Sequence, residues 1–299
     1  MLFIDYYEIE KELLNIKKTN DIVLVLKNDA YGFGIDKMLK IANKLGINEF
    51  VVNDIYEGIL INRKGNKVIL LAPLNKSFDY KNLNIYPTAQ SIEDIIYLED
   101  NNIDYYLKIK TTMNRFGTQY NNQLLTNKHL KGIYMHLPKI NNEDLYSHKY
   151  IQKQAFIKGL DFHVGGSILI DHTISKIRLA GSLYKNARSF YGHVLDIKLI
   201  HKGERIGYES LYEAPCDHLY AILDVGYYNG INRYFSGRVY ANNNFYDVIG
   251  LVCMNHTFIR VDSSVIRGQL VEFFGKNIKI DEFLAKNNMT LYESYFAIK

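Results

Sequence analysis

Val23-Leu24-Val25-Leu26-Lys27-Asn28-Asp29-Ala30-Tyr31-Gly32-Phe33-Gly34 is an apolar run that stops at a single lysine and breaks at once into a tyrosine and two glycines. A short apolar run closed by turn residues has the form of a buried strand. A lysine at the end of such a strand can lose the water around its ammonium, which lowers its pKa and makes its amine a usable nucleophile. A strand-end lysine can equally reach into water, so Lys27 needs support from elsewhere in the chain.

Similar runs recur downstream, beginning near Ile22, Glu49, Lys67, Ile85, Asp104, Gly132, Asp161 and Lys176. Between them, Ile35, Met38, Leu39, Ala42 and Leu45 have helical spacing, and Ser91 followed by Glu93 and Asp94 suits a helix start. Eight strands alternating with helices predict an α/β fold, a compact (β/α)8 barrel of the TIM type, over residues 6–186. That stretch is shorter than the roughly 250 residues usual for such barrels, so some helices should be short or missing. After about Ala187 the pattern changes. His193–Leu199, Leu219–Val225, Gly237–Tyr240 and Phe258–Val261 are short extended runs, some separated by turn-like Lys202-Gly203-Glu204 and Ala241-Asn242-Asn243-Asn244. Residues 187–299 are therefore expected to form a mostly β C-terminal domain. Its tail, with Ile280, Phe283, Leu284, Leu291, Tyr292 and Tyr295, returns to helix-like or mixed patterning.

Composition narrows the function. The 36 basic residues exceed the 32 acidic ones by only four and are spread along the chain, which predicts no nucleic-acid partner. Cys216 and Cys253 are too few for a disulfide framework or a zinc site, and suit a reducing compartment. The N-terminus has no basic leader, and no span of about 20 apolar residues occurs, so the expected location is cytoplasmic, away from the membrane.

In a barrel of this kind, catalytic groups stand at the C-terminal ends of strands. The expected strands end in Lys27, in Lys108-Ile109-Lys110 followed by Thr111-Thr112-Met113-Asn114-Arg115, in His136, in His163-Val164-Gly165-Gly166-Ser167, and in Arg178-Leu179-Ala180-Gly181-Ser182. Each is weak alone. Together they describe a pocket with a lysine, a ring to stack on, an anion cradle and a fixed cation.

These residues resemble those of the pyridoxal-phosphate-dependent alanine racemases. The family's Lys-Ala-Asn-Ala-Tyr-Gly-His-Gly signature is here Lys27 to Gly34; its Gly-Tyr-Ala-Asp-Gly block is Gly226-Tyr227-Tyr228-Asn229-Gly230; its Gly-Arg-Val-Cys-Met-Asp block is Gly250-Leu251-Val252-Cys253-Met254-Asn255; and Thr290-Leu291-Tyr292-Glu293 matches its late Ile-Asn-Tyr-Glu segment. The resemblance implies that Lys27 holds pyridoxal 5'-phosphate as a Schiff base and is one of two acid/base groups, with Tyr227 the other on the opposite face of the substrate Cα. It implies that Arg178 meets the pyridine nitrogen, that His136 packs on the ring, and that Ser167, Tyr31, Tyr292 and the amides of Ala180 and Gly181 hold the phosphate. Arg115 and the backbone of Met254 would bind the substrate carboxylate, His163 would stand behind these groups, and Lys108 matches a lysine that is carbamylated in some members. Residues 1–5 would pair with the C-terminal domain, and the family's head-to-tail homodimer would bring Tyr227 and Met254 to the partner's lysine. The implied activity is interconversion of L- and D-alanine for cell-wall peptidoglycan. The family's Asp-Thr-Gly-Met-Gly-Arg is Lys110 to Arg115 here, and two further acids are replaced by Asn229 and Asn255. A racemase for serine, lysine or a broad range of amino acids therefore stays open, as does a cofactor-binding homologue without turnover.

Overall fold

The computed structural model describes residues 1–137, 142–165 and 176–299, which divide into two compact units, Glu10–Leu183 and Met1–Ile9 with Tyr184–Lys299. Among the described residues no helix is long and apolar enough to cross a membrane.

The first unit is built on one parallel sheet. Its order is Ile85–Tyr86, Lys67–Leu70, Glu49–Val52, Asp21–Val25, Lys176–Leu179, Asp161–Gly165, Leu130–His136, Tyr105–Lys108 and Thr88–Ala89. The two outermost pieces are halves of one strand separated by Pro87, so the sheet curls into a nearly closed ring of eight strands. They are the eight expected from the apolar runs. Proline has no N–H to give a sheet ladder, but its carbonyl still accepts the Tyr106 N–H at 3.0 Å, which carries pairing across the break.

Helices are sparse, as the length of the stretch requires. Among the described residues, Ile35–Lys44, Ile55–Asn62, Ile92–Asp100 and Asn142–Ile157 follow barrel strands, whereas the chain from Leu71 to Asn84 has no helix. Ile35–Lys44 buries Ile35, Met38, Leu39, Ile41 and Ala42, the face its spacing defines. Ile92–Asp100 starts at a capping box: Ser91 Oγ accepts the Asp94 N–H at 3.1 Å and the Asp94 carboxylate accepts the Ser91 N–H at 3.2 Å.

Side chains two apart on a strand share a face, and the inner faces here are markedly polar. Near the strand starts, Lys67 and Lys176 interleave with Glu49 and Asp161 at 2.7–3.3 Å, and the Tyr106 hydroxyl donates to Asp161 Oδ2 at 2.5 Å. Two cations and two anions compensate one another, so removing one would leave a partly buried charge unpaired. One step along the same inner faces lie Lys108, Tyr134, His163 and Arg178, and a further step gives His136, Gly165 and Ala180.

The second unit is an antiparallel β-barrel. Arg188–Ile200, His218–Leu223, Thr257–Val261, Asn244–Ile249, Arg238–Ala241 and Leu270–Phe274 pair in that order, and the last returns to the first. Leu2–Ile4 adds to it antiparallel, with Leu2 opposite Phe190. The core is rich in rings: Phe190, Phe235, Phe273, Phe274 and Phe283 are buried with ring centres 5.1–6.4 Å apart.

Candidate active site

Lys27 follows the strand Asp21–Val25, and the chain after it takes an unusual path. Asn28, Asp29, Ala30 and Tyr31 have φ of 55°, 52°, 54° and 60°, four successive left-handed residues that are not glycine. This conformation costs a residue with a Cβ about 1–2 kcal/mol, so the surroundings must hold it. Gly32 donates its N–H to the Asn28 carbonyl at 3.1 Å and Gly34 to the Asp29 carbonyl at 3.0 Å. Asp29 Oδ1 accepts the Ile35 N–H at 2.8 Å, and the Asp29 N–H donates to Glu57 Oε1 at 2.8 Å. The turn buries Tyr31, whose ring centre lies 5.5 Å from Lys27 Nζ.

Arg115 is carried by a loop that folds back on its own strand. Thr118 donates its N–H to the Lys108 carbonyl at 2.9 Å, Lys110 donates to the Thr118 carbonyl at 3.0 Å, and Thr111 Oγ1 donates to the His136 carbonyl at 3.0 Å. Gly117, at φ 122°, has to be glycine, because a Cβ would stand 2.8 Å from the Lys110 nitrogen. Lys108 is buried, with Nζ 5.2 Å from the Phe116 ring centre and 5.8 Å from that of Tyr134.

Arg178 is gripped from below. Its guanidinium lies 3.7 Å from the centre of the Tyr134 ring, and its Nε donates to His163 Nδ1 at 2.6 Å. His163 must then be the Nε2–H tautomer and neutral; burial first, and Arg178 next, push its pKa well down. Arg178 Nη2 is a buried donor with no partner among the described residues. Gly165 leaves room for His136, since a Cβ there would come within 2.9 Å of His136 Nδ1.

Val25, Lys27, Tyr31, Leu71, Arg115, Tyr134, His136, Gly165, Arg178 and Ala180 line one cavity, which contains six of the residues singled out in the sequence and, among the described residues, no carboxylate. Burial, then Arg115, lowers the pKa of Lys27. Burial, then Arg115 and Arg178, brings Lys108 down to about 8. Burial and the same cations bring His136 down to about 4, so its ring is neutral at physiological pH. Burial draws Arg178 down to about 10, still charged. The cations Lys27, Arg115 and Arg178 in one wall attract a ligand with several anionic groups.

Gly181 is buried beside Ala180 at the end of the strand Lys176–Leu179. Ser167 lies outside the described residues. In the second unit, Tyr227 and Met254 are side by side: the Tyr227 N–H donates to the Cys253 carbonyl and the Tyr228 N–H to the Met254 carbonyl, both at 2.9 Å. Gly226 permits that approach, as a Cβ would fall 2.3 Å from the Cys253 carbonyl oxygen. Tyr227, Met254 and Tyr292 are 39%, 51% and 39% exposed, with Tyr228 and Tyr234 more so. Two residues that organise the site carried no mark in the sequence. Tyr134 could have been found by its alternation with His136; Glu57, in a helix 30 residues after Lys27, could not.

Fold and site define a two-unit protein with a half-buried lysine of lowered pKa in a cationic pocket at the C-terminal mouth of a parallel barrel. Models of the alanine racemase N-terminal domain and C-terminal domain match residues 4–161 and 187–299, and the chain belongs to the alanine racemase family of amino-acid racemases. An alanine racemase of Borreliella burgdorferi is 27% identical over 91% of this chain and 87% of its own length, and one of Fusobacterium nucleatum is 26% identical over 87% of each. Among solved structures, the alanine racemase of Bartonella henselae with covalently bound pyridoxal phosphate matches all of this chain and 96% of its own (TM-score 0.86, 18% identity). The histidine racemase of Leuconostoc mesenteroides matches all of this chain and 95% of its own (TM-score 0.78, 18% identity), which widens the substrates found on this fold.

Proposed function

We propose that this protein racemises alanine with pyridoxal 5'-phosphate carried covalently on Lys27. The observation that carries the reading is Arg178 Nη2, a buried donor left without a partner in the wall of the cavity that holds Lys27. An unmet buried donor is costly, and the cofactor's ring nitrogen would supply an acceptor for it. The rest of the wall fits the same group: a neutral His136 ring, Tyr31 beside Lys27, Ala180 at the end of its strand, and cations for its negative charges.

When bound, the cofactor supplies an electron sink for the pair left on Cα as its proton departs. The chain supplies the remainder. Lys27, once the substrate's amine has taken its place and its own amine is free, would take the α-proton from one face in one direction and deliver it there in the other, with a pKa lowered by burial and Arg115. Arg178 keeps its own protons, because even at about 10 it stays charged, and so donates to the ring nitrogen without protonating it. Arg115 pairs with the substrate carboxylate. Tyr227 serves the opposite face from a second copy of the chain, with Met254 beside it, and their exposure supports a homodimer with shared sites.

The replacements at Lys110, Asn229 and Asn255 support a second reading, a racemase of another amino acid such as serine, lysine or histidine. Protein loaded with cofactor is expected to exchange the α-hydrogen of alanine with deuterium and form D-alanine from L-alanine, and Lys27→Ala to do neither. Full activity in Lys27→Ala would refute the mechanism; exchange only with serine, lysine or histidine would move the substrate to that amino acid; and cofactor capture without exchange of any of the four would leave a binding protein without turnover.

A further inference from the structure

The left-handed turn that follows Lys27 is held at its second residue by a side chain from another element. Asp29 donates its backbone N–H to Glu57 Oε1 at 2.8 Å. Glu57 lies in the first turn of the helix Ile55–Asn62, which is fixed at its start by Asp54, whose carboxylate accepts the Tyr56 and Glu57 N–H groups at 2.7 and 3.3 Å. Glu57 Oε2 is buried and has no partner among the described residues. A half-buried carboxylate with an unmet oxygen is costly at a helix–barrel junction, and what it gains there is the turn's N–H. The turn in turn fixes the direction of Lys27, because the Ala30 N–H closes on the Leu26 carbonyl at 2.9 Å, spanning the lysine.

We propose that Glu57 is a positioning residue for Lys27: its carboxylate pins the left-handed turn Asn28–Tyr31, and the pinned turn aims the lysine amine into the cationic cavity. Without it the four residues relax toward the right-handed region that side chains prefer, and the amine spends part of its time out of line. Strained backbone at a site persists only where its surroundings over-determine it, and Glu57 is the contact made from outside the turn to its backbone N–H. This inference rests on the reading of Lys27 as the cofactor-bearing lysine.

Two measurements on the full-length protein test it. The first is amide hydrogen exchange over residues 28–32 without cofactor, in wild type, Glu57→Ala, Glu57→Gln and Asp54→Ala. A hydrogen bond to a charged acceptor is worth about ten-fold or more in an opening equilibrium. Glu57→Ala is therefore expected to speed exchange there about ten-fold, Glu57→Gln to lie near wild type because its amide oxygen still accepts, and Asp54→Ala to loosen mainly the start of its own helix. The second is the rate at which pyridoxal phosphate becomes covalently trapped on Lys27 by borohydride, read by peptide mass, expected to fall about as far in Glu57→Ala. The double variant Glu57→Ala/Ala30→Gly distinguishes positioning from a charge effect. Glycine adopts positive φ without strain, so it should restore most of the trapping rate although the carboxylate is absent. Wild-type exchange in Glu57→Ala would overturn the proposal, as would a loss of trapping that Ala30→Gly leaves untouched. If wild type itself traps no cofactor on Lys27, the reading of Lys27 fails, while the exchange measurement still decides whether Glu57 holds the turn.

Discussion

Lys108 is an amine surrounded by cations, and the cost of its charge makes it reactive. At an ordinary pKa of 10.5 only about one amine in a thousand is neutral at pH 7.5. At about 8, where burial, Arg115 and Arg178 bring it, roughly a quarter is neutral, an increase of more than two hundred-fold. Neutral amine adds to carbon dioxide with loss of a proton, forming a carbamate. That converts a cation whose charge Arg115 disfavours into an anion, replacing repulsion with attraction. The expected outcome with 13C-labelled bicarbonate at pH 7.5 is a carbamate resonance that is absent in Lys108→Met and is lost reversibly as the pH falls well below 8 and the amine protonates. Lys108→Met should also weaken binding of the substrate carboxylate through a misplaced Arg115, raising KM more than it lowers kcat. Absence of any carbamate resonance in well-folded protein would refute the reasoning, as would a set of carbamate resonances identical in wild type and Lys108→Met.

Acid should loosen the barrel unit through His148, which is buried on the helix Asn142–Ile157 with its ring centre 5.4 Å from that of Phe162 and neither ring nitrogen partnered among the described residues. Burial, then Lys149, lowers its pKa from 6.5 to about 4; a lowered folded pKa means stability is complete above 6.5 and lost as pH falls toward 4, by about 2 kcal/mol at pH 5. Urea unfolding at pH 7.5 and 5.0 should show a smaller drop in His148→Leu than in wild type, and equal drops would contradict it. Gly226→Ala should abolish racemase activity while costing at least about 1–3 kcal/mol, since its Cβ would force the Cys253 and Met254 carbonyls away from Tyr227; kinetics beside thermal unfolding would show whether it does. Mixing inactive Lys27→Ala and Tyr227→Phe subunits should restore about a quarter of wild-type activity if random dimers share their sites, and no recovery after subunit exchange would place both groups in one chain.

Much of the cavity was legible because its residues stand where the apolar runs end. Lys27, His136, Gly165 and Arg178 lie at or just past the ends of such runs, so reading those ends named part of the pocket wall. What was not legible depends on chain reversal. Asn28 and Asp29 tolerate positive φ, but Ala30 and Tyr31 give no hint of it, and the Glu57 that holds the turn arrives only after a strand and a helix return. The ion network was hidden for another reason: Glu49, Lys67, Asp161 and Lys176 each begin a strand, where a charge ordinarily marks the edge of an apolar run. In the second unit, the strand Asn244–Ile249 was not read, and its first residue lies in the stretch Ala241–Asn244 that reads as a turn. Leu270–Phe274 was hidden because Val271, Glu272, Phe273 and Phe274 are buried in succession and no alternation remains. Glu272 satisfies its carboxylate on the Asn277 and Ile278 N–H groups at 2.7 and 2.8 Å.

The break at Pro87 has a consequence for how the first unit comes together. Every other barrel strand lies whole between its neighbours, whereas this one gives two residues to Lys67–Leu70 and two to Tyr105–Lys108. The ring therefore has a seam, which can form only after the two flanking strands have been brought to its two sides. Seven strands can assemble as an open sheet, and closure is a separate event set by four residues and a proline. A chain cut in the helix-free stretch before Ile85 would retain seven unbroken strands and lose only the continuity of that closing step, making the seam a natural place to divide the barrel and ask whether its parts recombine.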